Sequence, residues 1–188
     1  TITVSVKAYI SGECVINDLN DNVFIGTNTG YLSANKGTDN VGIGYQACNS
    51  ISGDNNIGIG PSGGYGITTG SHNIGMGYLA GYSGGSTASN NVFIGREAGK
   101  NGGQYNDGGG NVGVGYGAMA GALQGGATNT AVGSAALGPV TTGDNNSCFG
   151  FRAGISGQPG GAITTADNQV CLGDSAVTHA HIQVDWTI

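Results

Sequence analysis

The chain has 188 residues, of which 40 are glycine and only 9% are charged, and its net charge is −6. Five Lys and Arg against 11 Asp and Glu exclude a nucleic-acid-binding surface, which must be basic. No apolar run approaches the roughly 20 residues that span a bilayer, so the sequence predicts no membrane insertion. Collagen is excluded because glycine does not recur at every third position.

The first 21 residues precede the repeated part of the chain. Ile2, Val4, Val6, Ala8 and Ile10 alternate with other residues, which is the period of a β-strand. We predict that residues 1–21 form either a capping strand for the next element or the continuation of an upstream shaft.

A five-residue block, Asn-apolar-small-apolar-Gly, recurs through residues 22–173. Successive copies begin between 16 residues apart (Asn40 to Asn56) and 23 residues apart (Asn146 to Gln169). The copies are NVFIG 22–26, NVGIG 40–44, NIGIG 56–60, NIGMG 73–77, NVFIG 91–95, NVGVG 111–115, NTAVG 129–133, NSCFG 146–150 and the degenerate QVCLG 169–173. Such regularity indicates a repeat architecture.

Each block predicts a short strand, because its second and fourth positions share one face. A single repeat cannot bury an apolar face, whereas stacked copies can. We therefore predict an all-β fold, a parallel β-solenoid with about nine coils. The larger second and fourth residues are expected to face the core of the coil, and the small third residues to face outward, against another copy of the chain.

The asparagine that opens each block is predicted to stack along the solenoid as a ladder of side-chain amides. The ladder residues are Asn22, Asn40, Asn56, Asn73, Asn91, Asn111, Asn129 and Asn146. Asp39, Asp54, Asp144 and Asp167 come just before these positions and are interpreted as turn residues. The four cysteines show no metal-ligand spacing, and we expect small buried thiols rather than disulfides.

Aromatic residues fall into two groups. Tyr45, Tyr78, Tyr116 and Phe151 directly follow a block glycine and are expected to pack at a corner of the coil. Tyr65, Tyr82 and Tyr105 lie in irregular connections, where exposed aromatic rings suit contact with a saccharide or protein receptor. These three tyrosines are the candidate receptor-binding residues.

These motifs resemble known fibrous proteins. The NVGIG-type blocks resemble the head repeat of trimeric autotransporter adhesins, and the versions followed by GYQA (44–47) and GYLA (77–80) resemble bacteriophage tail-fibre repeats. The stretch 172–188 is similar to the segment before the self-cleaving intramolecular chaperone of endosialidase-type tail spikes and fibres. The resemblance implies an intimate homotrimer of left-handed β-rolls and a mature chain from which the chaperone has been removed. The alternation in VTHAHIQVDWTI, within residues 174–188, predicts a final strand. Phe24 and Phe93 depart from the family pattern, which has a small residue at their position.

The C-terminal strand carries a histidine pair. His179 and His181 would share one face of a strand. If this strand lies along a threefold axis, three chains supply six imidazoles, an octahedral set that suits iron or nickel rather than tetrahedral zinc. The pair is therefore a candidate site for an axial transition metal.

No combination of residues in the sequence predicts catalysis. The only glutamates are Glu13 and Glu97, and no Ser/His/Asp grouping occurs near a strand-to-helix elbow. The expected function is non-enzymatic: a phage tail fibre or spike protein, located on the virion tail, that attaches to a bacterial surface glycan or outer-membrane receptor. The alternative is the head of a trimeric adhesin on a bacterial cell surface. A capsule depolymerase and an ice-binding solenoid rank below both.

Overall fold

The structure, a computed structural model, describes residues 14–17, 20–31, 37–100, 108–121, 124–155 and 161–178. Within these ranges the chain forms ten short strands in one sheet, in sequence order. They are β1 Cys14–Asn17, β2 Asn22–Ile25, β3 Val41–Ile43, β4 Ile57–Ile59, β5 Ile74–Met76, β6 Val92–Ile94, β7 Val112–Val114, β8 Thr130–Val132, β9 Ser147–Phe149 and β10 Val170–Leu172.

The nine block strands, β2 to β10, run parallel, each in register with the next, and form a β-solenoid of about six turns. The predicted all-β solenoid and its nine parallel strands are confirmed, whereas the number of turns is smaller than the predicted nine coils. The register places equivalent block residues side by side, for example Val41 beside Ile57 and Ile43 beside Ile59. Equivalent side chains therefore form continuous columns along the solenoid.

The ends of the sheet differ from its middle. β1 pairs antiparallel with β2, with Cys14 opposite Ile25, and so covers one edge of the sheet. The alternating residues Ile2 to Ile10 lie outside the described residues. Residues 174–178 contain no strand in the structure, and the remainder of the predicted C-terminal strand, 179–188, is outside the described ranges.

The predicted orientation of the strands was wrong. The third residue of each block from β2 to β9 faces inward and is buried, whereas the second and fourth residues face outward. The physical reason is the narrow interior. A Cβ at Gly42 would lie 2.7 Å from Thr29 Cγ2, and one at Gly75 would lie 2.6 Å from the carbonyl oxygen of Ala80. The turn of the same coil or of the preceding one occupies this space, so most coils accept only a small residue there.

Phe24 and Phe93 are the large residues at this inward position, and they are 2% and 4% exposed. Their rings fill space that neighbouring glycines leave open: a Cβ at Gly30 would lie 2.8 Å from the Phe24 ring, and one at Gly113 would lie 3.0 Å from the Phe93 ring. The two residues that depart from the family pattern therefore belong to the core and not to an outer packing surface.

The interior is completed by residues that follow each strand. Alanines three residues after a block glycine are fully buried in six coils. They are Ala47, Ala80, Ala98, Ala118, Ala136 and Ala153. Met119, Leu137, Val140 and Ile163 extend the core of the later coils.

Candidate functional site

The asparagine ladder runs along the solenoid at the start of the strands, where its side chains are buried. All eight predicted asparagines are at most 4% exposed. In each coil the Oδ1 atom accepts a hydrogen bond from the backbone N–H of the next ladder residue, at 2.8–3.0 Å, and the last bond comes from Gln169. The Nδ2 atoms donate to backbone carbonyl groups, as from Asn40 to Gly53 at 2.9 Å and from Asn129 to Gly143 at 2.8 Å. The ladder thus fixes the register that aligns the outer columns.

The outer face of the sheet carries two columns of predominantly apolar side chains. Ile25, Ile94 and Phe149 are 41%, 38% and 42% exposed, which is high for residues of this type in a globular domain. We call this surface the apolar face, and define it by the second and fourth block residues: Val23, Ile25, Val41, Ile43, Ile57, Ile59, Ile74, Met76, Val92, Ile94, Val112, Val114, Thr130, Val132, Ser147, Phe149, Val170 and Leu172. It runs along all nine parallel strands, β2 to β10, of the sheet.

One margin of the apolar face is aromatic. Tyr45, Tyr78, Tyr116 and Phe151 follow the block glycines, and between 48% and 59% of each residue is exposed. These residues lie at the corner of the coil, but about half of each is exposed instead of packed, because the positive φ of the preceding glycine turns the next side chain away from the core.

Arg96 occupies the same position between two of these tyrosines. Its guanidinium carbon lies 5.8 Å from the centroid of the Tyr78 ring and 5.6 Å from that of the Tyr116 ring, both within cation–π range. The sequence reasoning missed this arrangement. Alignment of the repeats would have found it, since all three residues directly follow a block glycine in consecutive copies.

Two of the three candidate receptor-binding tyrosines come together. The rings of Tyr65 and Tyr82 are stacked, with centroids 4.9 Å apart and planes 18° apart. The two residues are half-buried and occupy equivalent positions, five residues after a block glycine. Lys100 holds that position in the next coil. Tyr105 lies outside the described residues.

Glu97 connects the two aromatic groups. Its Oε1 atom lies 3.3 Å from Arg96 Nη2, and its Oε2 atom lies 3.6 Å from Lys100 Nζ. We call the resulting cluster, on the turns that follow β4 to β7, the corner patch: Tyr65, Tyr78, Tyr82, Arg96, Glu97, Lys100 and Tyr116.

The acidic residues before the ladder have structural roles. The Oδ1 atoms of Asp54, Asp144 and Asp167 each accept a hydrogen bond of 2.7 Å from a backbone N–H of the preceding coil. Asp39 has a φ of 58°, a left-handed conformation that aspartate tolerates better than most residues. Their interpretation as turn residues is confirmed.

Three of the cysteines are free thiols. Cys48 and Cys148 are buried, Cys171 is partly buried, and none of these three is in a disulfide. Burial raises the pKa of the Cys48 thiol to about 12. Burial, with the neighbouring Cys171, raises the pKa of Cys148 to about 12 as well. Both therefore behave as small apolar groups at neutral pH.

His179 and His181 lie outside the described residues, so their geometry is not part of the structure. In the described ranges, no three His, Cys, Asp or Glu side chains come together in a way that could hold a metal ion. Those ranges also contain no helix with the length and apolar character needed to cross a membrane.

Comparison with known proteins gives no match to a family model, to a curated protein or to a solved structure.

Proposed function

We propose that this chain forms the trimeric, fibrous receptor-binding region of a phage tail fibre or spike. The observation that carries the proposal is the apolar face. Nine strands at about 4.8 Å spacing and two side-chain columns give a patch about 40 Å long and about 10 Å wide. That is about 400 Å², at the size where an exposed apolar patch on a soluble protein signals an interaction surface.

A second copy of the chain is the natural cover for this surface. The apolar face repeats with the period of the solenoid, and another copy has the same period, so coils of both copies can pack level with each other. Three such faces around one axis bury all three sheets at once. The threefold number and the left-handed coil come from the resemblance to adhesin heads and tail fibres. We expect the trimer to survive heating, because a long apolar interface must separate in one step.

Three further parts of the proposal also rest on that resemblance. They are the attachment role, a location on the virion tail, and a receptor that is a bacterial surface glycan or an outer-membrane protein. The head of a bacterial trimeric adhesin is the alternative, because the same coil would serve there. Within the proposal the protein is not an enzyme.

The histidine pair His179 and His181 stays a proposed axial iron or nickel site. Elemental analysis of untagged protein tests this site, and less than a tenth of a metal ion per trimer would contradict it.

Cell binding and glycan release together test the function. Fluorescently labelled protein is expected to bind a subset of bacterial strains saturably, and unlabelled protein to compete for the same sites. Incubation with capsule or lipopolysaccharide from those strains should release no oligosaccharide. Release of oligosaccharide would replace the proposal with a depolymerase, and absence of binding to any strain of a broad panel would contradict the attachment role.

A further inference from the structure

The corner patch concentrates the residue types that dominate binding sites. Tyrosine and arginine are enriched among the residues that contribute most to binding, because they offer large rigid surfaces and several hydrogen-bond donors. In a chain with 9% charged and 7% aromatic residues, seven such side chains on four consecutive turns form a distinct surface. None of them is among the buried core residues, which in these coils include Ala80, Ala98 and Ala118.

The charges in the corner patch do not cancel. Arg96 and Lys100 share one carboxylate, that of Glu97. Two positive charges and one negative charge leave a local net charge of +1, on a chain whose net charge is −6. The Arg96 side chain is 62% exposed, so its remaining N–H groups can reach a ligand. This surface therefore favours an anionic group over a neutral one.

The aromatic rings indicate what kind of molecule carries the anionic group. Because Tyr65 and Tyr82 stack on each other, a ligand can contact only the outer ring faces and the edges of the pair, where the hydroxyl groups lie. Lys100 follows one coil further along the same column, next to Tyr82. A flat ring surface suits the C–H face of a sugar ring, and a cation one coil away suits a carboxylate on that sugar or the next. The patch spans four coils, about 15 Å along the solenoid. A patch of this length would need a width of about 50 Å to supply the about 800 Å² that each partner buries in a stable protein complex.

We propose that the corner patch binds an acidic saccharide, with a sugar ring against Tyr65 and Tyr82 and a carboxylate paired with Lys100 and Arg96. This inference rests on the proposed attachment function and assigns the chemical class of the receptor. Glu97 holds the two cations in place in the free protein and competes with the carboxylate of the ligand. Removal of its charge should therefore strengthen binding, which a purely structural role of Glu97 does not predict.

Binding is tested with the full chain on an array of uronate-containing and sialylated oligosaccharides, each paired with its methyl ester. The ester keeps the ring and removes the charge. We expect binding to acidic members, at least tenfold weaker binding to their esters, and weakening by added salt. The affinities of the best pair are then measured by calorimetry.

Matched variants locate the site. Arg96→Gln and Tyr82→Ala should each weaken binding at least tenfold, and Glu97→Gln should tighten it several-fold. The controls are Arg152→Gln, which removes another exposed arginine near an aromatic ring (Phe151, at 6.0 Å), and Tyr45→Ala, which removes an exposed tyrosine outside the patch. Both controls should bind as the unchanged protein does, and circular dichroism confirms that every variant is folded.

Three results would overturn the inference: no acidic oligosaccharide binds, the esters bind equally well, or Arg96→Gln and Tyr82→Ala bind normally. The cell-binding assay separates this failure from failure of the attachment role. If Arg96→Gln and Tyr82→Ala still bind bacteria like the unchanged protein, the corner patch is not the receptor site although attachment stands. If the unchanged protein binds no strain, the attachment role itself fails.

Discussion

At the scale of single residues, the buried asparagine ladder holds the coils in register. Asn73 shows the bonding pattern: its Oδ1 atom accepts from the N–H and Nδ2 groups of Asn91 at 3.0 and 3.1 Å, and its Nδ2 atom donates to Ala88 O at 2.9 Å. The sequence was sufficient to predict this ladder, because a polar residue that recurs at the start of every strand must find equivalent partners in equivalent coils.

Replacement of Asn73 by alanine should lower the free energy of unfolding by about 3 kcal/mol, because buried donors of Asn91 and the carbonyl group of Ala88 lose their partner. Asp54→Ala is the control, since Asp54 also accepts a backbone N–H but is exposed, and water can replace it. Urea denaturation at fixed protein concentration measures both. Equal losses for the two variants would contradict a special role for the buried ladder.

The buried thiols give a second prediction at this scale. Thiolates react and neutral thiols do not, and the pKa values of Cys48 and Cys148 are raised to about 12. At pH 8 a disulfide reagent should therefore modify Cys171 faster than either of them, with peptide mass spectrometry assigning each site. Rapid labelling of Cys48 in the folded protein would contradict its burial.

The same two thiols make the stability of the protein depend on pH. Because the pKa values of Cys48 and Cys148 are higher in the folded than in the unfolded state, the free energy of unfolding should fall as pH rises from about 9 toward 12.

At the scale of the elements, strand positions were predictable and strand orientation was not. Alternation shows which residues share a face, but not which face is buried. The usual preference of Val and Ile for the interior led to the wrong face being assigned to the core. The turn of each coil lies so close to the strand that Gly42 and Gly75 have no room for a side chain. That distance depends on how the chain closes each coil, which a short strand pattern does not encode. The turns also placed Tyr78 and Tyr116 outside the corner and beside Arg96.

The glycine that closes each block is required by the next coil. A Cβ at Gly95, where φ is 126°, would lie 2.5 Å from the carbonyl oxygen of Gly115. Gly125 has a similar φ of 145° but no atom within 4 Å of the added Cβ. Gly95→Ala should therefore destabilise the protein much more than Gly125→Ala, by about 2 kcal/mol or more beyond the shared backbone strain. Thermal denaturation compares them, and similar melting temperatures would contradict close stacking at the block glycines.

At the scale of the whole molecule, the apolar face is the dominant unexplained surface of a single chain. Apolar columns along the nine parallel strands of the sheet would favour aggregation if they remained uncovered. We therefore expect the face to be buried against other copies. Large outward side chains would then form the contact that the sequence pattern assigned to small ones.

Charges on the apolar face should prevent assembly. Met76 and Ile94 are fourth-position neighbours on β5 and β6, so Met76→Lys with Ile94→Lys places two like charges at the centre of the surface. The expected result is a monomer or a poorly soluble chain, as seen by size-exclusion chromatography with light scattering. The control pair Thr69→Lys and Thr142→Lys adds the same charge at exposed positions in the connections and should leave the assembly unchanged. Assembly of the face variant like that of the control would argue that the face is not an interface.

Sedimentation equilibrium of the unchanged chain at micromolar concentration tests the central claim, that copies of this chain cover the apolar face. We expect a single species with three times the chain mass of 18.5 kDa, without dissociation on dilution across the micromolar range. A stable, soluble species with the mass of one chain would contradict the account, because its apolar face would then remain in water.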